Sequence, residues 1–165
     1  MIKILMGYIE ADSGEVVRDS ELKVGYYSQE FENLDFKKTL LETARGDLNL
    51  AENVVRPILA RFLFPGSKVN QEVGTLSGGE KTRLSIALLL LQNYNLLILD
   101  EPTTYLDVLS QRIILQVLKD YQGAMLIVSH TEEFIKELEP RRALVLPENY
   151  FDYWSEDFLD RVSEV

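Results

Sequence analysis

The sequence predicts an α/β protein, a parallel β-sheet flanked by helices with a small helical subdomain inserted between sheet elements. Three observations predict it. Two uniformly apolar runs, Leu96–Leu99 and Ala124–Val128, suit strands buried on both faces. Between them, Ile113-Ile114 and Val117-Leu118 form the apolar stripe of a helix from Val108 to Tyr121, stopped by Gly123. A strand, a helix and a strand in that order make a βαβ unit, which requires parallel strands. Third, from Thr39 to about Leu91 helical spacing replaces strand-like runs.

Taken in order, Met1–Met6 reads as the tail of a buried helix with Gly7 at its C′ position. Nothing before Met1 starts or caps that helix. Asp12-Ser13-Gly14 is a turn, followed by a short strand at Glu15–Arg18. Lys23–Gln29 is a second strand ending in an amide side chain. Gln29 suits either a metal- or water-facing role or a plain surface position after an edge strand. In the helical region Val54-Val55, Ile58-Leu59 and Phe62-Leu63 recur at helical intervals, and Phe64-Pro65-Gly66 closes the segment as a turn.

Leu76-Ser77-Gly78-Gly79-Glu80 opens the next helix. Ser77 is a strong N-cap, and Glu80 three residues on completes a capping box. Two glycines in a first helical turn cost about 1 kcal/mol each against Ala, which makes sense where backbone approaches a ligand closely. A hydroxyl and bare N–H groups at a helix N-terminus suit an anion, phosphate best of all; a plain glycine turn is the alternative. The helix continues through Ile86–Leu91, apolar nearly all round and expected to be buried.

Asp100 and Glu101 follow the first apolar strand directly. Open α/β sheets bind ligands at the carboxyl ends of their strands. Two carboxylates there can divide labour, one holding a hard cation such as Mg²⁺ and the other acting as base; the alternative is a core strand ending in a polar turn. Asp107 caps the helix from Val108. Ser129-His130-Thr131-Glu132 follows the second strand and reads as another capping box. His130, the one histidine in the chain, falls on the same sheet edge as the two carboxylates; it is either a structural residue at a helix start or part of that site. Glu139-Pro140 ends the next helix, and Ala143–Leu146 is the last strand. The acidic aromatic tail from Tyr150 is expected to pack back on the body, with no chemistry assigned.

Composition narrows the classes. At 165 residues with 46% hydrophobic content the chain is one ordinary globular domain. It has no Cys, which excludes disulfides and thiolate metal sites. No apolar run approaches the roughly 18 residues of a membrane span, and Met1–Met6 is too short for a signal peptide core. With 27 acidic against 17 basic residues and a net charge of −10, the chain lacks the basic footprint of a nucleic-acid or anionic-lipid binder.

Five motifs along the chain resemble those of the ATP-binding cassette (ABC) ATPases. Leu76–Glu80 reads as the signature motif, Leu96–Glu101 as Walker B with its catalytic glutamate, and Leu106-Asp107 as the D-loop. His130 reads as the switch histidine and Gln29 as the Q-loop glutamine. The resemblance implies a P-loop NTPase-like fold, ATP and Mg²⁺ as ligands, and in-line transfer of a phosphoryl group to water. It implies that Asp100 holds Mg²⁺, Glu101 polarises the attacking water, His130 contacts the γ-phosphate and Gln29 senses metal and water. The resemblance likewise implies that Ser77, Gly78 and Gly79, with Glu80 in the same nucleotide-binding set, face ATP held by a second cassette, in cis or in a dimer, and that Asp107 lies on that interface. The resemblance divides the chain into a core remnant (1–35), a helical subdomain ending in the signature helix (36–92), the second half of the core (93–150) and the tail (151–165).

Within the family, the interval from Gln29 to Ser77 suits a compact helical unit and excludes the long coiled coils of the chromosome-maintenance and double-strand-break-repair relatives. The runs Asp100–Asp107, Leu118–Gly123 and Val128–Phe134 look most like the ABC-F class. Its members carry two cassettes on one chain, lack membrane domains and work on the ribosome in the cytoplasm, some protecting it from antibiotics. The chain departs from the class at Thr104-Tyr105, where Asn-His is usual, and at Thr131-Glu132, where Asp-Arg is usual. A transporter cassette is the alternative reading, and a non-catalytic interaction module a third.

The family's phosphate cradle, G-x-x-x-x-G-K-[ST], is absent. Gly74 and Gly79 have its spacing, but Glu80 stands where Lys is required, and no Gly-Lys pair occurs anywhere. The opening residues resemble the helix that follows that loop, so the chain is expected to start just after it. Two consequences are expected: weak ATP binding without turnover, because the phosphates lose their main ligands, and unpaired apolar strand edges that promote association.

Overall fold

Three strands make the main sheet of the computed structural model, which describes residues 1–28, 31, 34–146 and 149–162. They are β1 (Val24–Tyr27), β2 (Leu96–Asp100) and β3 (Ala124–Val128), in the order β1-β2-β3 with both pairings parallel. The register sets Tyr27 beside Leu99 and Asp100 beside Val128, so the residues after β2 and β3 emerge side by side at the carboxyl edge. The βαβ reading holds. β2, the middle strand, buries Leu97, Ile98 and Leu99. β3 is less covered than its apolar sequence suggests: Ala124 is exposed and Met125–Val128 are half-buried, and among the described residues it is an edge strand with a neighbour on one side only. That edge carries five apolar residues in a row.

The N-terminal helix, α1 (Ile2–Leu5), forms, with Gly7 at φ +78° just past its end. It buries no residue, however; Ile2, Ile4 and Met6 are half-buried. The strand expected at Glu15–Arg18 does not form. Val16 and Val17 are exposed and have no apolar face to join. Arg18 instead folds back, its Nη2 donating to the carbonyls of Leu5 at 2.8 Å and Ile4 at 3.4 Å, which satisfies oxygens the helix end leaves open.

The helical unit comprises α2 (Leu40–Arg45), α3 (Glu52–Arg61) and two 3₁₀ turns at Gly66–Asn70 and Val73–Thr75. Thr39 caps α2 in a capping box with Glu42, whose carboxyl the Thr39 N–H and hydroxyl hold below the usual range. Val55 and Leu59, four apart on α3, are fully buried beside Phe62 and Phe64. With Leu40, Leu84, Ile86, Leu97, Leu99, Ile114 and Leu118 they form a single core under sheet and helices alike.

The signature helix α4 (Gly78–Leu91) buries Thr82 to Leu84, Ile86 and Ala87. The run Leu88–Leu91, expected to be buried, is half-buried and packs on the core from its margin. α5 (Val108–Asp120) joins β2 to β3, and α6 (Glu132–Leu138) follows β3. Beyond it, β4 (Arg142–Val145) is not the last strand: the tail adds β5 (Tyr150–Tyr153), antiparallel to β4 in a separate two-stranded sheet, and α7 (Asp157–Val162). The tail packs back as expected. Phe158 is buried against Trp154 and Tyr150, and Glu156 pairs with Lys136 of α6 at 2.9 Å.

Candidate functional site

The first constellation lies where β2 and β3 end. Asp100 is the last residue of β2 and half-buried. Glu101 keeps the ladder going for one more bond, its N–H donating to the Val128 carbonyl at 2.8 Å, and then turns at φ +52°. That left-handed backbone is strained for a glutamate, by about 1 kcal/mol or more. It is associated with a specific contact: Glu101 Oε1 lies 2.8 Å from His130 Nδ1. The His130 side chain is 77% exposed and that of Glu101 17%. Glu101 Oε2 is buried and has no hydrogen-bond partner. One carboxylate oxygen is therefore held by histidine and the other is left to accept.

The loops bearing these residues are tied together. The buried Thr103 hydroxyl lies 2.9 Å from that of Thr131, and Ser129 Oγ accepts from the Thr131 N–H at 3.2 Å. The capping box expected between Ser129 and Glu132 is therefore not made. Thr131 is the N-cap of α6 and makes no side-chain cap, because its hydroxyl is taken by Thr103. Sequence reasoning assigned no role to Thr103, and a threonine in a turn gives no signal of one.

The second constellation is the N-terminus of α4. Ser77 Oγ accepts from the Glu80 N–H at 3.3 Å, while Glu80 Oε2 accepts from the Ser77 N–H at 2.9 Å and its hydroxyl at 3.0 Å. The capping box is real. Lys68 from the first 3₁₀ turn adds an ion pair to Glu80 at 2.6 Å. The Lys68 ammonium first, then the Ser77 N–H, pull the Glu80 carboxyl down to about 2. Ser77, Gly78, Gly79, Glu80, Arg83, Tyr105 and Asp107 line an open pocket of about 570 Å³. Asp107 caps α5, accepting from the Ser110 N–H at 2.8 Å and its hydroxyl at 3.0 Å, which hold its carboxyl below the usual range, the N–H most strongly.

Gly79 has a structural reason to be glycine. A Cβ there would stand 2.6 Å from the Tyr105 carbonyl oxygen, whereas one on Gly78 would stand 3.4 Å from the Tyr105 ring. Tyr105 itself is 65% exposed at φ +66°.

Of the candidate residues, Asp100, Glu101 and His130 share the carboxyl edge of the sheet, and Ser77, Gly78, Gly79, Glu80 and Asp107 share the pocket. Gln29 lies outside the described residues. Among the described residues no group of three or more His, Cys, Asp or Glu stands ready to enclose a metal. Asp100, half-buried at the end of β2, fits Mg²⁺ nonetheless, since that ion ordinarily takes one or two carboxylates and completes its shell with phosphates and water.

The family model described as ABC transporter matches residues 1–104. This chain belongs to the ABC family. It is 38% identical over 159 residues to YdiF of Bacillus subtilis, covering 96% of this chain and 25% of YdiF. It is 41% identical over 139 residues to the ATP-binding protein Uup of Haemophilus influenzae, covering 81% of this chain and 22% of Uup. YheS of Escherichia coli is 34% identical over 170 residues, 100% of this chain and 26% of YheS. These relatives are of the ABC-F type, in agreement with the ABC-F reading of the motifs. The chain thus spans about a quarter of the length of the curated relatives it matches.

Among solved structures, an archaeal ribosome recycling factor in complex with a ribosomal stalk protein is similar with a TM-score of 0.69 and 26% identity, over 91% of this chain and 30% of that one. A dimeric ATP-binding cassette bound to ADP and phosphate has a TM-score of 0.67 at 23% identity, over 80% of this ABC chain and 63% of that one, and speaks for the fold alone. No helix among the described residues is long and apolar enough to cross a membrane.

Proposed function

We propose that this chain is the hydrolytic and signature-bearing part of an ABC-F-type cassette, acting in the attack of water on the γ-phosphate of ATP. One contact supports the reading above all: Glu101 Oε1 stands 2.8 Å from His130 Nδ1 at the carboxyl edge of a parallel sheet, beside a buried carboxylate oxygen without a partner. In this reading Glu101 orients the attacking water and accepts its proton, and His130 holds Glu101 and faces the γ-phosphate. Asp100, at the strand end, would hold Mg²⁺. When bound, Mg²⁺ neutralises charge developing on the phosphates. Gln29 is assigned to the same surroundings on its motif alone.

Ser77, Gly78, Gly79 and Asp107 face ATP carried by a second cassette, and the part of Glu80 is to fix Ser77 at the helix start. Residues 36–92 act as the subdomain that carries this face, set between core segments 1–35 and 93–150. For the whole protein we propose a cytoplasmic role with the ribosome as partner; co-sedimentation with ribosomes supports it, and co-purification with membranes favours a transporter instead. The chain contains no Gly-Lys pair to cradle the β- and γ-phosphates, so alone it holds ATP weakly and does not turn it over. Titration with a fluorescent ATP analogue tests this. The expected result is no saturation in the micromolar range; micromolar binding by the chain alone contradicts it.

A further inference from the structure

Arg83 has no part in the chemistry above, yet it is a buried cation beside the signature pocket. It is 7% exposed and stands one helical turn after Gly79, so both share one face of α4. That face meets the loop 103–110. Gly79 lies under the Tyr105 carbonyl. Arg83 Nη1 donates to Ser110 Oγ, and the same nitrogen is 3.9 Å from Asp107 Oδ2. Ser110 is fully buried and holds the Asp107 carboxylate with both its N–H and its hydroxyl. On its other side the guanidinium lies 5.6 Å over the ring of Phe64, which is fully buried and follows α3 in the helical unit. Arg83 Nε is buried without a hydrogen-bond partner.

Stability alone is a weak account of this arrangement. A buried charge with one neutral partner, a carboxylate 3.9 Å away and an N–H without a hydrogen bond offsets its desolvation cost poorly. What the network does is geometric. It fixes the residue that holds Asp107 against the turn that carries Ser77, Gly78 and Gly79.

We infer that Arg83 is a positioning residue: through Ser110 it registers Asp107 against Ser77-Gly78-Gly79, so that the two segments form one rigid surface, and through Phe64 it ties that surface to the helical unit. What the surface binds rests on the function proposed above; the registration is a property of this chain alone. Hydrogen exchange on the full 165-residue chain reads it out. In Arg83→Met, amides in 77–80 and 103–110 should exchange about tenfold faster, β2 and α3 should not change, and the melting midpoint should stay within about 2 °C or rise. Ser110→Ala should accelerate 103–110 likewise, and the double variant should be no faster than Arg83→Met. Unchanged exchange in 103–110 in either variant overturns the proposal. So does acceleration spread over the whole chain with a lower midpoint, which marks Arg83 as a general stabiliser. A second arm measures ATP-dependent association with a complete ABC cassette, expected to be about tenfold weaker in Arg83→Met. If the unaltered chain shows no such association, the functional reading fails while the exchange result still decides the positioning.

Discussion

Glu101 and Glu80 show two opposite uses of a carboxylate. Glu101 combines a left-handed backbone, a buried oxygen without a partner and a contact to an exposed histidine, features that cost stability and suit chemistry. Asn tolerates that backbone better than Glu, so Glu101→Asn should raise the unfolding free energy by about 1 kcal/mol in urea denaturation while removing the proposed base; a lower stability contradicts the strain argument. Glu80 is the reverse, engaged by Ser77 and Lys68 on both oxygens. Its carboxyl titrates at about 2 in the fold against an ordinary 4.5. Its contribution is therefore complete above about pH 5 and is lost as the pH falls toward 2. Glu80→Gln should cost about 1 kcal/mol at pH 7 and flatten the acid limb of the stability curve; equal acid sensitivity in both proteins counts against the Lys68–Glu80 pair.

Among elements, the start of α4 and the loop 103–107 behave as one piece. Ala is a better helix former than Gly by about 1 kcal/mol, so propensity alone predicts that either glycine-to-alanine change stabilises. The packing predicts otherwise for one of them. Gly79→Ala forces a Cβ to 2.6 Å from the Tyr105 carbonyl, while Gly78→Ala meets a ring at 3.4 Å that can shift. The melting temperature of Gly79→Ala should fall below that of Gly78→Ala, and the opposite order refutes the close approach. The caps at Ser77 and Asp107 were legible because capping is local chemistry between residues three apart. The capping box at Ser129 does not form because the helix starts two residues later than that pattern implies: Thr131 is the N-cap, its N–H is accepted by Ser129 Oγ, and its hydroxyl is taken by Thr103, 28 residues away. Glu15–Arg18 failed in the same way, since its two valines have β propensity but no face to bury.

In the molecule as a whole, the βαβ unit and its parallel register followed from two apolar runs and one amphipathic helix, because buried parallel strands leave a distinctive pattern. The positions of Asp100, Glu101 and His130 on one edge followed from the same topology. The uneven burial of β3, the extra strand β5 and the Arg83–Ser110–Asp107 network did not, because each depends on which neighbours are present rather than on the local sequence. Two surfaces result, one carrying Asp100, Glu101 and His130 at the sheet edge, the other carrying Ser77, Gly78 and Gly79 at the start of α4 together with Asp107. The proposed function requires the second surface to close on ATP held by another cassette. Sedimentation of this chain with a complete, hydrolysis-deficient ABC-F cassette tests it with and without ATP. The expected result is a complex that forms only with ATP and is lost in Gly78→Asp; a complex indifferent to ATP, or none with it, contradicts closure of this surface on a partner's ATP.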